Sequence, residues 1–580
     1  MPAEQVDRLV PDFAGGVSRK GNDMAASSYV PIRFPKRNIL EYVQEAVRRS
    51  PERCAVVSGD GAVRLTFGEV DRRANRLASA LAELGVKQGD RVAIFQSNRW
   101  QYVEQYLAIL KLGAVCVPMN FRLKSPEALF ILNESGAETL LFEQRYQSIF
   151  EPTLAYQLAV KNRICTVGEA PEWAMDYERL LAGSADSDPP PVDLGPDSIL
   201  AICYTSGTTG LPKGSVTTHR NGMVNFEDSF GKKLIGVDAV HPELGYVVTA
   251  LNVPAYHIAG IFLLYAGMCI GATTVIPEAF LPQQFMEIVQ REKVTLTYLV
   301  PVMFFFILMD PGFRRYDLSS LRVVAYGAMP MDPELLQKIL TEFPPGVRYM
   351  DAFGCTECNA TNIAKAPEDH DLSGSPEEVE KKRKRLRGIG RPLTEGIETK
   401  IVDRYGSEVP PGVVGEVVSR GEKVTPGYWR NPEKTAAAFD RQGWFHTGDS
   451  AYRDEDGYYY FADRSGDMIN RGGENIFPIE VERVLSRHPA IAEAAVFGIP
   501  DPAWGQRVMA AVVLRPGQSA TEEEIIRFCK EGLASYKAPS AILFKQSLPR
   551  TFEGGKVKRN VLREECLRSP LLTGRSPSFR

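Results

Sequence analysis

Residues 199–214 read Ile-Leu-Ala-Ile-Cys-Tyr-Thr-Ser-Gly-Thr-Thr-Gly-Leu-Pro-Lys-Gly, an apolar strand running straight into a loop of hydroxyls and glycines closed by a lysine. Gly207 and Gly210 allow a backbone to fold tightly around an anion with its N–H groups pointing inward. Thr205, Ser206, Thr208 and Thr209 add donors, and Lys213 adds a movable positive charge. This is phosphate-binding chemistry. It is not a Walker loop, because Lys213 is followed by Gly214 rather than Ser or Thr, and residues 215–218 read as extended rather than helical.

Upstream of this loop the chain repeats helix-then-strand units. Thr66-Phe-Gly-Glu69 is a capping box, after which Val70, Ala74, Leu77, Ala78 and Leu81 hold one helical face until Gly85, and 91–95 follows as a strand. Residues 100–112 are helical in pattern, Gly113 stops them, and 115–117 is strand-like; Ser125 with Pro126 opens a third helix that ends at Gly136 before a strand at 139–142. Such alternation predicts an α/β fold with mostly parallel, helix-covered sheets. The polar, proline-rich stretch 184–196 reads as a surface connection between two lobes.

Beyond about residue 400 the pattern changes to short strands and turns, with 457–462 a clear strand. From Asp467 the chain reads as a small α+β unit: a helix near 480–487, strands near 494–498 and 508–513, and a helix capped by Thr521 and Glu524. The expected division is an N-terminal extension (1–28), a large multi-lobed domain with a β-rich portion (29–463), a hinge (464–468) and a small C-terminal domain (469–580).

The 580 residues are 44% apolar and 24% charged, a globular profile able to bury a large core. Sixty-eight Lys plus Arg against 72 Asp plus Glu give a net charge of −4, without the basic excess of a nucleic-acid binder. The nine cysteines are scattered, and the C-x-x-C at Cys355–Cys358 lacks the second pair of a structural zinc site. No leader or terminal tag is legible, which with the cysteines predicts a reduced, cytoplasmic protein, monomer or homodimer. The uncharged stretch 258–276 is broken by three glycines and flanked by prolines, so it is expected to be core rather than a membrane span. The basic run 381–387, preceded by Glu377, Glu378 and Glu380, reads as a solvated charged hairpin or helix.

The loop at 204–214 resembles the signature of the adenylate-forming superfamily: acyl- and aryl-CoA synthetases, adenylation domains and luciferases. The resemblance extends from about Ile39 to Arg563 and is closest to fatty-acid and acyl-CoA ligases. Pro254-Ala-Tyr-His-Ile-Ala-Gly260 is similar to the family's acyl-pocket motif, and Asp351-Ala-Phe-Gly-Cys-Thr-Glu357 to its adenine and magnesium motif. Trp444-Phe-His-Thr-Gly-Asp449 is similar to its ribose motif, Asp463-Arg464 through Gly472-Gly473-Glu-Asn-Ile476 to the hinge and the start of a mobile C-terminal domain, and Gly555-Lys556 to the C-terminal lysine.

The resemblance implies an acid–CoA ligase using ATP, Mg2+ and coenzyme A. A carboxylate is a poor electrophile, and joining it to AMP supplies a leaving group. Two anions must meet for that, so the site needs cations and oriented donors where charge builds. By resemblance the 205–213 loop holds the β- and γ-phosphates, Glu357 with Thr208 holds Mg2+, and Thr356 donates to the α-phosphate. Phe353, beside Asp351, stacks on adenine, the backbone of Gly327, Ala328 and Met329 reads its edge, and Asp449 and Arg464 meet the ribose. Lys556 bridges carboxylate and α-phosphate, His257 orients or gates the acid, and Tyr256, Ala259 and Tyr326 line its pocket. After rotation of the small domain, Gly472 and Gly473 flank a tunnel for the CoA thiol.

Two departures stand out. Gly466 occupies a hinge position that is usually Asp or Lys, and one extra residue before Lys556 leaves Lys558 as an alternative. The apolar pocket residues favour a medium- or long-chain fatty acid or an aryl acid. The competing readings are an enzyme loading a carrier protein, a luciferase-like oxygenase, and a non-catalytic acyl-adenylate-binding protein.

Overall fold

The helix–strand alternation of the first third builds a parallel sheet. The capping box is present, with Glu69 N–H donating to Thr66 Oγ1 at 3.2 Å and Thr66 N–H to Glu69 Oε2 at 2.7 Å, and it starts helix Phe67–Glu83. Strand Arg91–Phe95, helix Gln101–Lys111, strand Val115–Pro118, helix Ser125–Ser135 and strand Thr139–Glu143 follow in the expected order. The computed structural model describes residues 34–151, 160–205, 212–227, 240–328, 331–393, 395–464, 467, 469–471, 474–501, 505–533, 535–550 and 557–568.

Two compact units emerge: Met1–Lys400 with Ser419–His446, and Ile401–Val418 with Thr447–Arg580. In the first, a seven-stranded sheet runs Met175–Asp176, Asn162–Val167, Thr139–Glu143, Arg91–Phe95, Val115–Pro118, Ile199–Thr205 and Lys213–Thr218, parallel except for the last strand. A nine-stranded sheet has six parallel strands at its centre: Arg348–Phe353, Val323–Gly327, Leu296–Leu299, Val248–Ala250, Thr273–Ile276 and Cys54–Ser58.

One core fills the space between these sheets, drawing Ile94, Cys116 and Ala201 from one and Val56, Leu296 and Met350 from the other, with helices Phe67–Glu83, Gln101–Lys111 and Ile258–Ile270 between them. Further cores cover the two outer faces. Helix Ile258–Ile270 is enclosed by this layer, which is why it can be apolar on every side. Residues 258–276 are thus a buried helix followed by buried strand Thr273–Ile276, and no described helix is long and apolar enough to cross a membrane. The basic run forms the C-terminal part of helix Pro376–Leu386, capped by Ser375 and Glu378, acidic in its first turn and basic in its last, as the helix dipole favours. All nine cysteines are free thiols.

The second unit carries the hairpin Phe445–Arg453/Tyr459–Arg464 beyond residue 446 and a five-stranded sheet in which Ile491–Asp501 pairs antiparallel with Gly505–Leu514. Helices Pro478–Leu485 and Glu522–Gly532 lie on that sheet, the second with the expected Thr521–Glu524 box. Both strands extend further than the sequence suggested, because the long hairpin pairing carries its polar ends with it.

Candidate active site

Thr205 and Lys213 are register partners at the end of the antiparallel pair Ile199–Thr205/Lys213–Thr218. The loop between them therefore starts and finishes at one point of the sheet. Thr205 is half-buried; Ser206, Gly207, Thr208, Thr209 and Gly210 lie outside the described residues. Lys213 Nζ donates to Tyr428 Oη at 2.5 Å and lies 3.2 Å from Glu357 Oε1, while Tyr428 Oη donates to the same Glu357 oxygen at 2.8 Å. Tyr428 and Glu357 are buried, but the Lys213 side chain keeps 27% of its exposure. Burial first, and Glu357 second, push the Tyr428 phenol pKa well up, so it is a neutral hydroxyl.

Segment 425–429 is fastened to strand Lys213–Thr218 from outside: Ser215 bridges Tyr428, Val216 N–H donates to Gly427 O at 3.1 Å, and Trp429 N–H to Gly214 O at 2.8 Å. Thr425 N–H donates to Glu357 O at 2.7 Å, tying Glu357 to the same scaffold. Thr356 and Glu357 sit on a 3-10 turn, followed by Asn359 and Ala360 at φ +50 and +78. Left-handed residues other than glycine in succession store strain, and they mark a place where the surrounding fold dictates the backbone.

The acid motif sits at the start of helix Ile258–Ile270, with His257 at the N-cap. Tyr256 is buried, its ring edge-on to Phe121 (5.5 Å, 83°) and 4.4 Å from the His257 ring. Ala259, in the first turn, is half-buried. A Cβ on Gly260 would lie 2.1 Å from Pro254 O, so only glycine permits this turn. Asn98, at the end of strand Arg91–Phe95's loop, clamps the motif: its Oδ1 accepts from Ala255 N–H at 2.8 Å and its Nδ2 donates to Val253 O at 3.0 Å.

Phe353 ends strand Arg348–Phe353, half-buried, and Gly327 ends the neighbouring strand, where a Cβ would meet Ala352 O at 2.1 Å. Ala328 follows, exposed, at φ +66; Met329 is outside the described residues. Two residues expected at the site, Tyr326 and Asp351, instead face the outer side of the sheet. Tyr326 is fully buried with its hydroxyl donating to His370 Nε2 at 2.8 Å, and it packs with Phe304 and Tyr349 on the face of the sheet opposite to helix Ile258–Ile270. It does not line a pocket with Tyr256 and Ala259. Asp351, two residues after Tyr349, looks to that same outer face, where its carboxylate pairs with Lys365 Nζ at 2.9 Å. The Lys365 ammonium also donates to Leu386 O and Gly388 O at 2.9 and 2.7 Å, so the Asp351 side chain is committed to the framework rather than to a ligand.

In the second unit, Asp449 and Arg464 are register partners across the hairpin, which puts the two residues expected at the ribose side by side in sequence register. Asp449 is buried and its N–H donates to Thr447 Oγ1 at 3.1 Å. Gly466, Gly472, Gly473 and Lys556 lie outside the described residues. Among the described residues on either side of Lys556, Arg550 bridges Val557 and Lys558 N–H donates to Pro549 O at 2.8 Å. Sequence alone does not single out Tyr428 or Asn98. Both act across long separations, 215 residues from Tyr428 to Lys213 and 157 from Asn98 to Ala255, and the only local signal was the Pro426-Gly427 turn before Tyr428.

The AMP-binding enzyme family model matches residues 43–429, and the AMP-binding enzyme C-terminal domain model matches residues 480–554. A fatty acid–acyl-carrier-protein ligase of Streptomyces coeruleorubidus is 35% identical over 500 residues, covering 86% of this chain and 91% of that protein. Feruloyl-CoA synthase of Amycolatopsis sp is 35% identical over 519 residues, covering 89% and 96%. Among solved structures, o-succinylbenzoate CoA synthetase of Bacillus subtilis, in complex with its acyl-adenylate intermediate, superposes with a TM-score of 0.76 at 29% identity, covering 91% of this chain and 98% of that one. The chain belongs to the AMP-binding enzyme family, and it is an AMP-forming acid–thiol ligase of the acyl- and aryl-CoA ligase kind.

Proposed function

We propose that the enzyme joins a medium- or long-chain fatty acid or an aryl acid to ATP, releasing pyrophosphate, and then passes the acyl group from AMP to the thiol of coenzyme A. The observation that carries this is the Lys213–Tyr428–Glu357 cluster at the foot of the hydroxyl- and glycine-rich loop. A lysine with part of its side chain in solvent is available to phosphate oxygens, and a buried carboxylate beside it is a hard oxygen ligand. Mg2+ takes one or two carboxylates together with nucleotide phosphates rather than an all-protein cage, and Glu357 supplies such a carboxylate, with the Thr208 hydroxyl as the further oxygen that the loop sequence offers. Bound there, the cation would neutralise charge on the departing pyrophosphate.

This chain's residues divide the work. Lys213 and the loop hold the β- and γ-phosphates; Thr356 donates to the α-phosphate; Phe353 and the strained backbone at Gly327–Ala328 receive the adenine; Asp449 and Arg464 hold the ribose. His257, at the electropositive start of an apolar helix, orients the carboxylate, with Tyr256 and Ala259 as pocket wall. Lys556 approaches the carboxylate during adenylation, and rotation about 464–468 exchanges it for Gly472 and Gly473 before thioester formation. Nine free thiols accord with a cytoplasmic setting.

Incubation with ATP, CoA and a panel of acids should give AMP and thioester in equal amounts for at least one alkyl or aryl acid; no acid yielding both would overturn the proposal. The similarity to a fatty acid–acyl-carrier-protein ligase supports a second reading, a carrier-protein acceptor. Adenylate formation without transfer to CoA, but with transfer to a carrier protein, would select it.

A further inference from the structure

The 3.2 Å approach of Lys213 to Glu357 sets two tasks against each other. A lysine that holds phosphates must leave the carboxylate, and a carboxylate that holds a cation must stay aimed once the lysine has gone. A buried carboxylate stripped of its partner is costly, and it turns toward whatever donor remains within reach.

Tyr428 already stands between the two. Its hydroxyl accepts from Lys213 and donates to Glu357 Oε1, and its ring lies under the ammonium with Nζ 4.3 Å from the centroid. The tyrosine is fixed: it is 3% exposed, its N–H donates to Thr435 Oγ1 at 2.9 Å, and its backbone bridges Ser215. When Lys213 moves, the phenol can keep its hydrogen on the carboxylate.

We propose that Tyr428 is a positioning residue for the metal end of the site, its hydroxyl holding the Glu357 carboxylate oriented when Lys213 turns to the phosphates, so that the cation arriving with the nucleotide meets a fixed oxygen. This rests on the assignment of Lys213 and Glu357 to nucleotide and metal made above.

Tyr428→Phe removes one oxygen and leaves the packed ring. Calorimetric titration of the full chain with ATP, with and without Mg2+ and without acid, reads the Mg2+-dependent gain in affinity. The variant should lose about tenfold of that gain, the effect of one hydrogen bond to a charged group, while Mg2+-free binding changes less. A merely structural tyrosine would lower the melting midpoint and weaken both titrations alike, and that result, or an unchanged gain, overturns the inference. Glu357→Gln separates the two levels. If it keeps the full gain, the Glu357 assignment itself fails; if it loses the gain while Tyr428→Phe keeps it, only the role of Tyr428 fails. A wild-type protein with no Mg2+-dependent gain overturns both.

Discussion

Asp351 and Glu357 stand six residues apart in one motif, both buried, each facing a lysine, and they do opposite things. Asp351 meets Lys365, a side chain only 1% exposed, whose remaining hydrogens go to two backbone carbonyls. Every donor is spent. Glu357 meets Lys213, 27% exposed at the mouth of a loop, with a tyrosine hydroxyl shared between them. A sealed pair stabilises one arrangement, whereas an open pair can exchange partners. The two carboxylates in this motif therefore differ through what the fold places opposite them.

The sealed pair offers the sharpest break. Asp351→Ala would leave the Lys365 ammonium buried without its counter-charge, at a cost of about 3–5 kcal/mol of stability. Chemical unfolding should show it, and a variant of wild-type stability would contradict the sealed description. Next comes the open pair. Lys213→Ala should lower acid adenylation by about 10²–10³, the scale of one donor lost to developing charge, and lower the melting midpoint less than Asp351→Ala does, because Tyr428 keeps its hydrogen bond to Glu357. If stability fell as far as in Asp351→Ala, the pair would be structural after all.

A smaller effect follows from Asn98. Asn98→Ala would strip the Ala255 N–H of its acceptor, costing about 1–3 kcal/mol. Because the clamp holds the acid motif, KM for the acid should rise more than KM for ATP, and equal changes in both would argue against a local role. The flank of the sealed pair also gives a pH signature. Burial first, then the Lys365 charge, pushes His370 down to about 3, while the unfolded chain titrates near 6.5. Asp351, Asp369, Tyr326 and Tyr349 are the other titratable groups around it. Between those values the unfolded state binds the extra proton, so stability is full above about 6.5 and falls as pH drops, by up to about 1.4 kcal/mol per unit. His370→Gln should flatten that slope, read from melts between pH 7 and 5, and an unaltered slope would contradict the assignment. Smallest of all, Lys381→Ala on the solvated helix Pro376–Leu386 should change stability by less than about 0.5 kcal/mol.

What the sequence disclosed was local. Caps at Thr66 and Thr521, the glycine stop at Gly136 (φ +67) and the extended run after Lys213 are decided by neighbours within a few residues, and each appears where the pattern put it. The face toward which Tyr326 points was not legible. Its strand, Val323–Gly327, is buried on both sides, so the run Val-Val-Ala-Tyr-Gly has no alternation to distinguish them. The same limit hid the committed state of Asp351, whose partner Lys365 arrives from the antiparallel neighbouring strand Ile363–Lys365. Tyr428 and Asn98 were invisible for a related reason: their meaning lies in contacts that exist only after two sheets and a distant loop have come together.

The adenylating role of the Lys213 loop is tested most directly by acid-dependent exchange of labelled pyrophosphate into ATP, measured for the wild-type chain and for Lys213→Ala. Exchange should appear only when a suitable acid is added and should fall by about 10²–10³ in the variant, the scale of one lost donor at the transition state. Exchange that is independent of acid, or equal in the folded variant, would contradict that role.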